Sequence, residues 1–221
     1  MQLLQLRELV KKGEGQLLEF KRKAAFPEKI VREIVAFANS QGGFLIVGVD
    51  DDGSIPGLKY VDEEKFILNK AIADFCSPAI RYHHIAVRLS DNRSVLVYEI
   101  FESRRKPHYL LPTPNARYGK AYIRVKDQSL QASQEVVQIL KRKNRNKGFA
   151  LQFGEVEHAL MKYIDHHEYI TLNKLSEIAA IPRHVASRKL TAMVLSNVLS
   201  IEAGEKEDRF FLKPDKKLKH F

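Results

Sequence analysis

Acidic side chains that could bind a cation, with a lysine among them, lie close together in the first quarter of the chain. Asp50, Asp51 and Asp52 follow directly after a continuous apolar run. Glu19 and Lys21 fall on one face of a predicted strand, because successive side chains of a strand point to opposite faces. Three adjacent carboxylates repel one another unless a cation, arginine side chains or water neutralises them. The acidic run therefore predicts either a cation-binding edge or a solvated turn of the Asp-Gly type.

Three predicted elements position these side chains. Residues 16–22 alternate between apolar and polar side chains, which is typical of a half-buried strand. A helix with an apolar stripe begins at Pro27 and ends at Gly42 and Gly43, since proline suits a first helical turn and glycine ends a helix. Residues 44–49 form a continuous apolar run of strand length, which indicates a central strand covered on both faces.

Five motifs occur in a fixed order over roughly the first two thirds of the chain: EFKRK, AFANSQGG, LIVGVDDDG, RRKPHYL and YIRV. Together they resemble the Schlafen AlbA-like domain, a family associated with DNA binding. The resemblance implies an α+β fold with a mixed sheet, which we expect over residues 1–140. It also implies contact with nucleic acid.

The same resemblance implies an enzymatic alternative. In the ribonuclease members of the Schlafen family, two glutamates and an aspartate form a metal-binding catalytic trio. The matching positions are Glu14, Glu19 and Asp51, with Asp50 as the near alternative to Asp51. Under this alternative the cofactor is Mg²⁺ or Mn²⁺, and Lys21 stabilises the charge that develops on phosphate. The other interpretation is a metal-free binder in which Glu19 forms a charge pair with Lys21 or Arg22 at a sheet edge.

The positive charge of the chain is concentrated in one segment. The formal net charge is +10, and residues 104–147 contain twelve Lys or Arg side chains against two acids. The remaining chain is balanced, with 25 basic and 25 acidic residues. Such a concentration is typical of a surface that contacts phosphate. The alternative is a solvated lysine-rich face followed by a linker.

Residues 103–120 form a predicted loop in which basic and aromatic side chains are interleaved with three prolines. Arg and Lys side chains can hold phosphates, and the rings of His108, Tyr109 and Tyr118 could stack on bases. An ordinary proline-stiffened loop is the alternative. A last strand over residues 121–125 is expected to carry a basic face. The predicted nucleic-acid contacts of this part of the chain are Arg104, Arg105, Lys106, His108, Tyr109, Arg117, Lys120 and Arg124.

The pattern changes after residue 140. Residues 141–154 are rich in Lys, Arg and Asn and predict a basic linker. Residues 155–221 show three helical patterns and two short strands around a polar tip, an order that resembles a winged helix-turn-helix domain. The resemblance implies that the N-terminal end of the third helix enters a major groove. The predicted base-reading residues are Arg183, Ser187, Arg188 and Lys189.

Together these features predict a nucleic-acid-binding protein, most simply a transcriptional regulator, with DNA favoured over RNA as its partner. A homodimer is expected, since helix-turn-helix proteins usually read two half-sites as dimers. No cofactor is expected unless the nuclease alternative applies. The near-neutral charge of residues 155–221 and the acidic tip of the hairpin leave dimerisation or protein contact as the alternative role of that domain.

Absent motifs exclude other classes. No GxxxxGK[ST] phosphate-binding loop occurs, and no serine stands in the context of a hydrolase nucleophile. The single cysteine, Cys76, excludes an internal disulfide. No apolar run reaches the length of a membrane span, and the N-terminus lacks the pattern of a signal peptide. We therefore expect a cytoplasmic protein without membrane contact.

Overall fold

The computed structural model describes residues 1–143 and 153–214. The chain divides into two compact units, Met1–Gln131 and Ala132–Phe221. Helices and strands are both well represented, and the first unit contains a mixed sheet. The predicted α+β class with a mixed sheet is confirmed. Across the described ranges, no helix combines the length and the apolar character needed to cross a bilayer.

The first unit contains three helices and eight strands among its described residues. The helices are α1 (Leu3–Val10), α2 (Pro27–Asn39) and α3 (Val61–Phe75). The strands are β1 (Leu18–Lys21), β2 (Gly43–Val47), β3 (Cys76–Ser77), β4 (Tyr82–Ser90), β5 (Arg93–Ile100), β6 (Tyr109–Leu110), β7 (Tyr122–Val125) and β8 (Gln128–Gln131).

The main sheet has four strands in the order β1-β2-β5-β4. Strand β1 runs parallel to β2, and helix α2 is the crossover between them. The β2–β5 and β4–β5 pairs are antiparallel, so the sheet is mixed. The unit also contains two short antiparallel pairs, β3 with β6 and β7 with β8, and isolated bridges that include one between Leu110 and Lys120.

Strand β2 is covered on both faces, as its continuous apolar sequence predicts. On one face Ile46 packs in a cluster with Phe20 of β1 and Leu6 of α1. On the other face Leu45 and Val47 belong to the cluster that contains the buried sides of α2 and α3. Side chains alternate along a strand, so a strand in the middle of the unit needs apolar residues at every position.

The turn from α2 into β2 requires glycine for a specific steric reason. Gly42 has a φ of +77°, in the left-handed region that residues with a Cβ atom rarely adopt. A Cβ atom at this position would also lie 2.6 Å from the carbonyl oxygen of Ile100. This close approach packs the end of α2 against β5. It therefore fixes the positions of the residues just before Gly42.

The second unit contains four helices and a hairpin among its described residues. These are α4 (Gln134–Lys143), α5 (Glu155–Ile164), α6 (Leu172–Ile178), α7 (Arg183–Leu195), β9 (Leu199–Glu202) and β10 (Arg209–Leu212). The hairpin strands are antiparallel, and Ile170, between α5 and α6, forms an additional bridge to Phe210 of β10. The core is built by apolar side chains of α5, α6, α7 and both strands.

Helix α4 begins within the range predicted for the first domain, but it groups with the second unit, because it packs against α7. Lys141, Arg142 and Lys143 of the predicted linker are the last residues of α4. The rest of that basic segment, residues 144–152, lies outside the described residues.

Candidate nucleic-acid interface

Arg124 lies at the centre of a buried ion cluster in the first unit. Its guanidinium Nη1 donates to Glu19 Oε2 at 2.9 Å and to Glu33 Oε2 at 3.0 Å. The Arg124 side chain is fully buried, and the side chains of Glu19 and Glu33 are 9% and 6% exposed. Strand β1 contributes the first carboxylate, helix α2 the second and strand β7 the arginine. A single cation therefore holds three elements together.

Further oxygen atoms complete the surroundings of the same guanidinium. Arg124 Nη2 donates to the carbonyl oxygen of Gly15 at 2.6 Å, and Nη1 donates to Ser129 Oγ at 3.2 Å. The guanidinium also lies 4.8 Å from the centre of the Phe37 ring. Within the described residues, Arg124 Nε has no hydrogen-bond partner. The arginine is thus fixed by hydrogen bonds from several directions and by a ring on one face.

Two further cations bind the remaining carboxylate oxygens. Lys21 Nζ pairs with Glu19 Oε1, and Arg32 Nη2 lies 3.0 Å from Glu33 Oε1. Burial raises the pKa of Glu19, and the neighbouring Lys21 ammonium opposes that shift. All four carboxylate oxygens of the two glutamates therefore face a basic side chain, with Arg124 shared between them.

The end of helix α2 holds the loop that carries the predicted contacts. Asn39 Nδ2 donates to the carbonyl oxygens of His108 and Tyr122, both at 2.9 Å, and Asn39 Oδ1 accepts from the His108 amide at 2.7 Å. Ser40 Oγ accepts from the Arg124 amide at 2.8 Å. Lys106 Nζ donates to the Ser40 carbonyl. The AFANSQGG motif therefore fixes both ends of the segment from residue 106 to residue 124.

His108 is buried, and the stacking role predicted for it is wrong. The residue is 1% exposed, and its Nδ1 bonds to the carbonyl oxygen of Pro78 at 2.8 Å. A carbonyl can only accept, so Nδ1 carries the hydrogen and Nε2 is the unprotonated nitrogen. Nε2 is buried and has no hydrogen-bond partner within the described residues. Burial lowers the pKa of His108, and the charge of Lys106 acts in the same direction.

The structure separates the predicted contacts of this segment into an internal and an external set. Lys106 and Arg124 are internal with His108, because Lys106 binds Ser40 and Glu102 and strand β7 turns Arg124 toward α2. The face of β7 that was predicted to be basic and exposed is, at Arg124, the buried face that packs against α2. Tyr109 is half-buried in β6. The exposed residues of the set are Arg104, Arg105, Arg117 and Lys120.

Tyr118 stands out among the rings of the loop because it is 86% exposed. The loop that carries it is closed by two backbone hydrogen bonds between Leu110 and Lys120, at 2.8 and 2.9 Å. Gly119 allows this closure, since a Cβ atom there would lie 2.4 Å from the Leu110 carbonyl oxygen. Tyr118 is therefore displayed to solvent between Arg117 and Lys120 on a loop with a fixed base.

The acidic trio implied by the nuclease resemblance does not converge. Glu14 Oε1 accepts a hydrogen bond from the Phe20 amide at 2.8 Å, and Glu19 belongs to the Arg124 cluster. Asp51 lines a surface pocket of about 430 Å³ beside Phe20, on the α1 side of the sheet. Within the described ranges, no three His, Cys, Asp or Glu side chains form a group that could hold a metal ion. Glu19 and Asp51 lie on opposite sides of the sheet, so the trio as it stands in the described structure is not such a group.

Asp50, the near alternative, belongs to a hydrogen-bonded turn. Its amide bonds to the Ser54 carbonyl at 3.0 Å, and its carboxylate lies 3.4 Å from Arg22 Nε. Asp52 Oδ1 accepts from the Ser54 amide at 2.8 Å, and hydrogen bonds from Ser54 lower the pKa of Asp52. Of the two interpretations of the acidic run, the structure shows the turn.

The predicted base-reading residues of helix α7 also divide into two sets. Ser187 Oγ donates to the Glu135 carboxylate of α4, and Lys189 Nζ lies 2.7 Å from Glu157 Oε1 of α5. These two side chains hold neighbouring helices within the second unit, so the structure does not offer them to a ligand. Arg183 and Arg188 are exposed, and Arg183 pairs with Asn173 of α6.

Sequence reasoning missed Glu33 and Asn39. A signal existed for Glu33, which follows Ile30 by three residues and precedes Phe37 by four, so it lies within the apolar stripe of α2. A carboxylate in a buried stripe needs a cationic partner. Asn39 is the last residue of the same helix, and nothing in its local sequence shows which strands it joins.

Several solved structures match part of the chain, and two of them are described here. One is the N-terminal domain of a protein related to the ATP-dependent DNA helicase RecG, from Nitrosomonas europaea, with 23% identity and a TM-score of 0.43 over 60% of this chain and 94% of that one. The other is the DIP2311 protein from Corynebacterium diphtheriae, with 18% identity and a TM-score of 0.42 over 68% of this chain and 33% of that one. No curated protein matches the chain.

The sequence family described as Schlafen, AlbA_2 matches residues 14–133, which is more than half of the chain. The match includes β1, α2 and the main sheet, together with the Arg124 cluster and the Asn39 contacts. This protein therefore belongs to the Schlafen AlbA_2 family.

Proposed function

We propose that this protein binds nucleic acid through a basic rim on its first unit. The rim is defined as the exposed side chains of Arg104, Arg105, Arg117 and Lys120, with the ring of Tyr118 between the last two. Four cations on one segment attract phosphate, and an exposed ring beside them offers a face for an unpaired base. Membership of the Schlafen AlbA_2 family is consistent with this function.

The observation that carries the proposal is the division of roles within one short segment. Lys106, His108 and Arg124 turn inward and fix the backbone through Ser40, Asn39 and the two glutamates. The rim residues between and around them face solvent. A charged surface on an ordered backbone loses less conformational entropy on binding than one on a mobile loop. The segment is thus preorganised for phosphate.

The second unit supplies the basis for proposing DNA as the partner and transcriptional regulation as the role. Helices α6 and α7 are followed by the β9–β10 hairpin, and the Ile170–Phe210 bridge adds a third extended segment to it. This order supports a winged helix-turn-helix arrangement. Arg183 and Arg188, near the start of α7, would then face a major groove, which is accessible in DNA and too narrow for side chains in A-form RNA.

A homodimer is part of the same proposal, since a helix-turn-helix protein that reads a palindromic site uses two copies. Sedimentation equilibrium of the protein, alone and with duplex DNA, tests this part separately. A single-copy complex at all protein concentrations would contradict the homodimer and leave nucleic-acid binding to its own test.

Direct binding measurements test the proposed function. Fluorescence anisotropy of labelled duplex DNA, single-stranded DNA and RNA should rise on titration with the protein at low salt, and the complexes should dissociate as salt is added. Binding should not depend on Mg²⁺ or Mn²⁺, because the acidic trio does not converge. If none of the three ligands binds at low ionic strength, the proposal is wrong.

A further inference from the structure

The surroundings of the Arg124 guanidinium resemble the ligand set of a hard metal ion. Four oxygen atoms approach its terminal nitrogens: the carboxylates of Glu19 and Glu33 at 2.9 and 3.0 Å, the Gly15 carbonyl at 2.6 Å and the Ser129 hydroxyl at 3.2 Å. Carboxylate, carbonyl and hydroxyl oxygens are the ligands that Mg²⁺, Mn²⁺ and Ca²⁺ prefer. We call these four oxygens the oxygen cage.

The two carboxylates of the oxygen cage require a cation. Their side chains are less than a tenth exposed, and both direct one oxygen at the same point. Two ionised carboxylates in so small a space repel each other strongly when nothing neutralises them. Lys21 and Arg32 bind the outer oxygens, but their side chains are 32% and 44% exposed and lie outside the cage. Within the described part of the chain, only Arg124 reaches the inner oxygens as a cation.

We propose that the oxygen cage is a cation site whose permanent occupant is the Arg124 side chain. A divalent ion such as Mn²⁺ enters only when the guanidinium is removed. Because Arg124 is attached to the chain, its effective concentration at the cage far exceeds that of a free ion. This inference does not depend on the proposed nucleic-acid function. It also explains why Glu19 differs from the metal ligand that the nuclease resemblance implies. Glu19 does bind a cation, but that cation is the side chain of Arg124.

The test compares thermal unfolding in chelator and in excess Mn²⁺. The wild-type Tm should be the same in both conditions. Arg124→Ala should unfold at a lower temperature in chelator, and excess Mn²⁺ should raise its Tm by about 2–4 °C. Glu33→Gln in the Arg124→Ala background should remove that gain, since one of the two charged ligands is then neutral. Arg88→Ala, which removes an exposed partner of Asp91, is the matched control and should not respond to Mn²⁺.

Two results would overturn the inference: a wild-type Tm that rises with Mn²⁺ and ceases to rise in Glu19→Gln, or an Arg124→Ala protein that gains nothing from the ion. If Arg124→Ala does not fold in chelator, refolding in Mn²⁺ is the readout. Recovery of folded protein in Mn²⁺ supports the oxygen cage. Failure to recover, while Arg124→Lys folds under the same conditions, contradicts it.

Discussion

Asn39 and His108 are joined by two hydrogen bonds that together mimic a strand pairing. The Asn39 amide nitrogen donates to the His108 carbonyl at 2.9 Å, and its oxygen accepts from the His108 N–H at 2.7 Å. Asn39 is 2% exposed and His108 is 1% exposed, so water cannot replace either bond. The contact ties the end of helix α2 to the segment that carries the basic rim.

Replacing Asn39 by Ala should therefore destabilise the first unit and loosen the rim. The change removes the side-chain partner of backbone groups of His108 and Tyr122, which should cost about 2–4 kcal/mol in the free energy of unfolding. Urea unfolding measures the loss, and hydrogen exchange of the His108 amide should quicken. Asn115→Ala, at an exposed site in the same segment, should change the unfolding free energy by no more than about 0.5 kcal/mol. Equal effects of the two changes would contradict the role of Asn39.

The stability of the protein should fall as the pH falls through the range in which histidine titrates. Burial lowers the pKa of His108 below its ordinary value of 6.5, so the folded state disfavours the charged ring more than the unfolded state does. The stabilisation is complete above pH 6.5 and is lost as the pH falls toward the folded-state pKa. Unfolding free energies measured between about pH 5 and pH 8 should show this loss.

His108→Gln should make that pH dependence smaller, because the group whose pKa differs between the two states is gone. Burial also lowers the pKa of His84, so some dependence should remain. A His108→Gln profile identical to the wild type would show that the buried ring is not responsible.

Tyr118→Ala should weaken binding to single-stranded nucleic acid more than binding to duplex. A base stacked on a tyrosine contributes about 1–3 kcal/mol, which corresponds to a rise in Kd of about 5- to 150-fold. Paired bases in a duplex offer no free face, so its Kd should change little. Because the ring is 86% exposed, the Tm should not change. Tyr60→Ala, at a ring that is 57% exposed elsewhere in the unit, is the control.

The neighbours Arg188 and Lys189 on helix α7 should behave differently when each is changed to Ala. Arg188 is exposed, so its loss should alter the preference at one base position by about 1–3 kcal/mol if it contacts a guanine edge. Lys189 pairs with the buried Glu157, so its loss should lower the Tm and leave the base preference unchanged. Selection of sites from a random duplex library, together with thermal unfolding, separates the two effects. Unchanged site preference in Arg188→Ala would contradict base reading by α7.

Much of the first unit could be predicted because its signals are local. The apolar run over residues 44–49 indicated a strand covered on both faces, and the strand and helix before it were placed correctly. The acidic run left two interpretations open, a cation-binding edge and an Asp-Gly turn, and the structure shows the turn. These predictions depend on period, proline and glycine, which act on neighbouring residues.

The buried ion cluster could not be predicted in the same way, because it joins residues far apart in the chain. Arg124 and Glu19 are 105 residues apart. Alternation shows that side chains of a strand share a face, but not which face packs on a helix. The alternation over residues 121–125 predicts that Arg124 lies on a basic face of the strand, which is where arginine is usually found. Arg124 is buried because it pairs with Glu33 of α2. That contact can be identified only when the packing of β7 against α2 is known.

Glu19 and Asp51 of the acidic trio lie apart for a related reason. Glu19 and Phe20 are adjacent in β1 and so point to opposite faces of the sheet. Glu19 faces α2, whereas Asp51 lies beside Phe20 on the α1 side. A match of motif positions along the sequence places both acids near the ends of neighbouring strands, but it does not place them on the same face.

The salt dependence of binding tests most directly whether the basic rim binds phosphate. The variant that changes Arg104, Arg105, Arg117 and Lys120 to Gln should bind duplex DNA more weakly at low salt. The slope of log K against log salt should fall by about 0.9 for each phosphate that the variant no longer neutralises. The matched control changes four other exposed lysines to Gln, which removes the same charge: Lys12, Lys23, Lys59 and Lys70. We predict a smaller slope for the rim variant and a near wild-type slope for the control. Equal slopes in the wild type, the rim variant and the control would contradict phosphate binding by the rim.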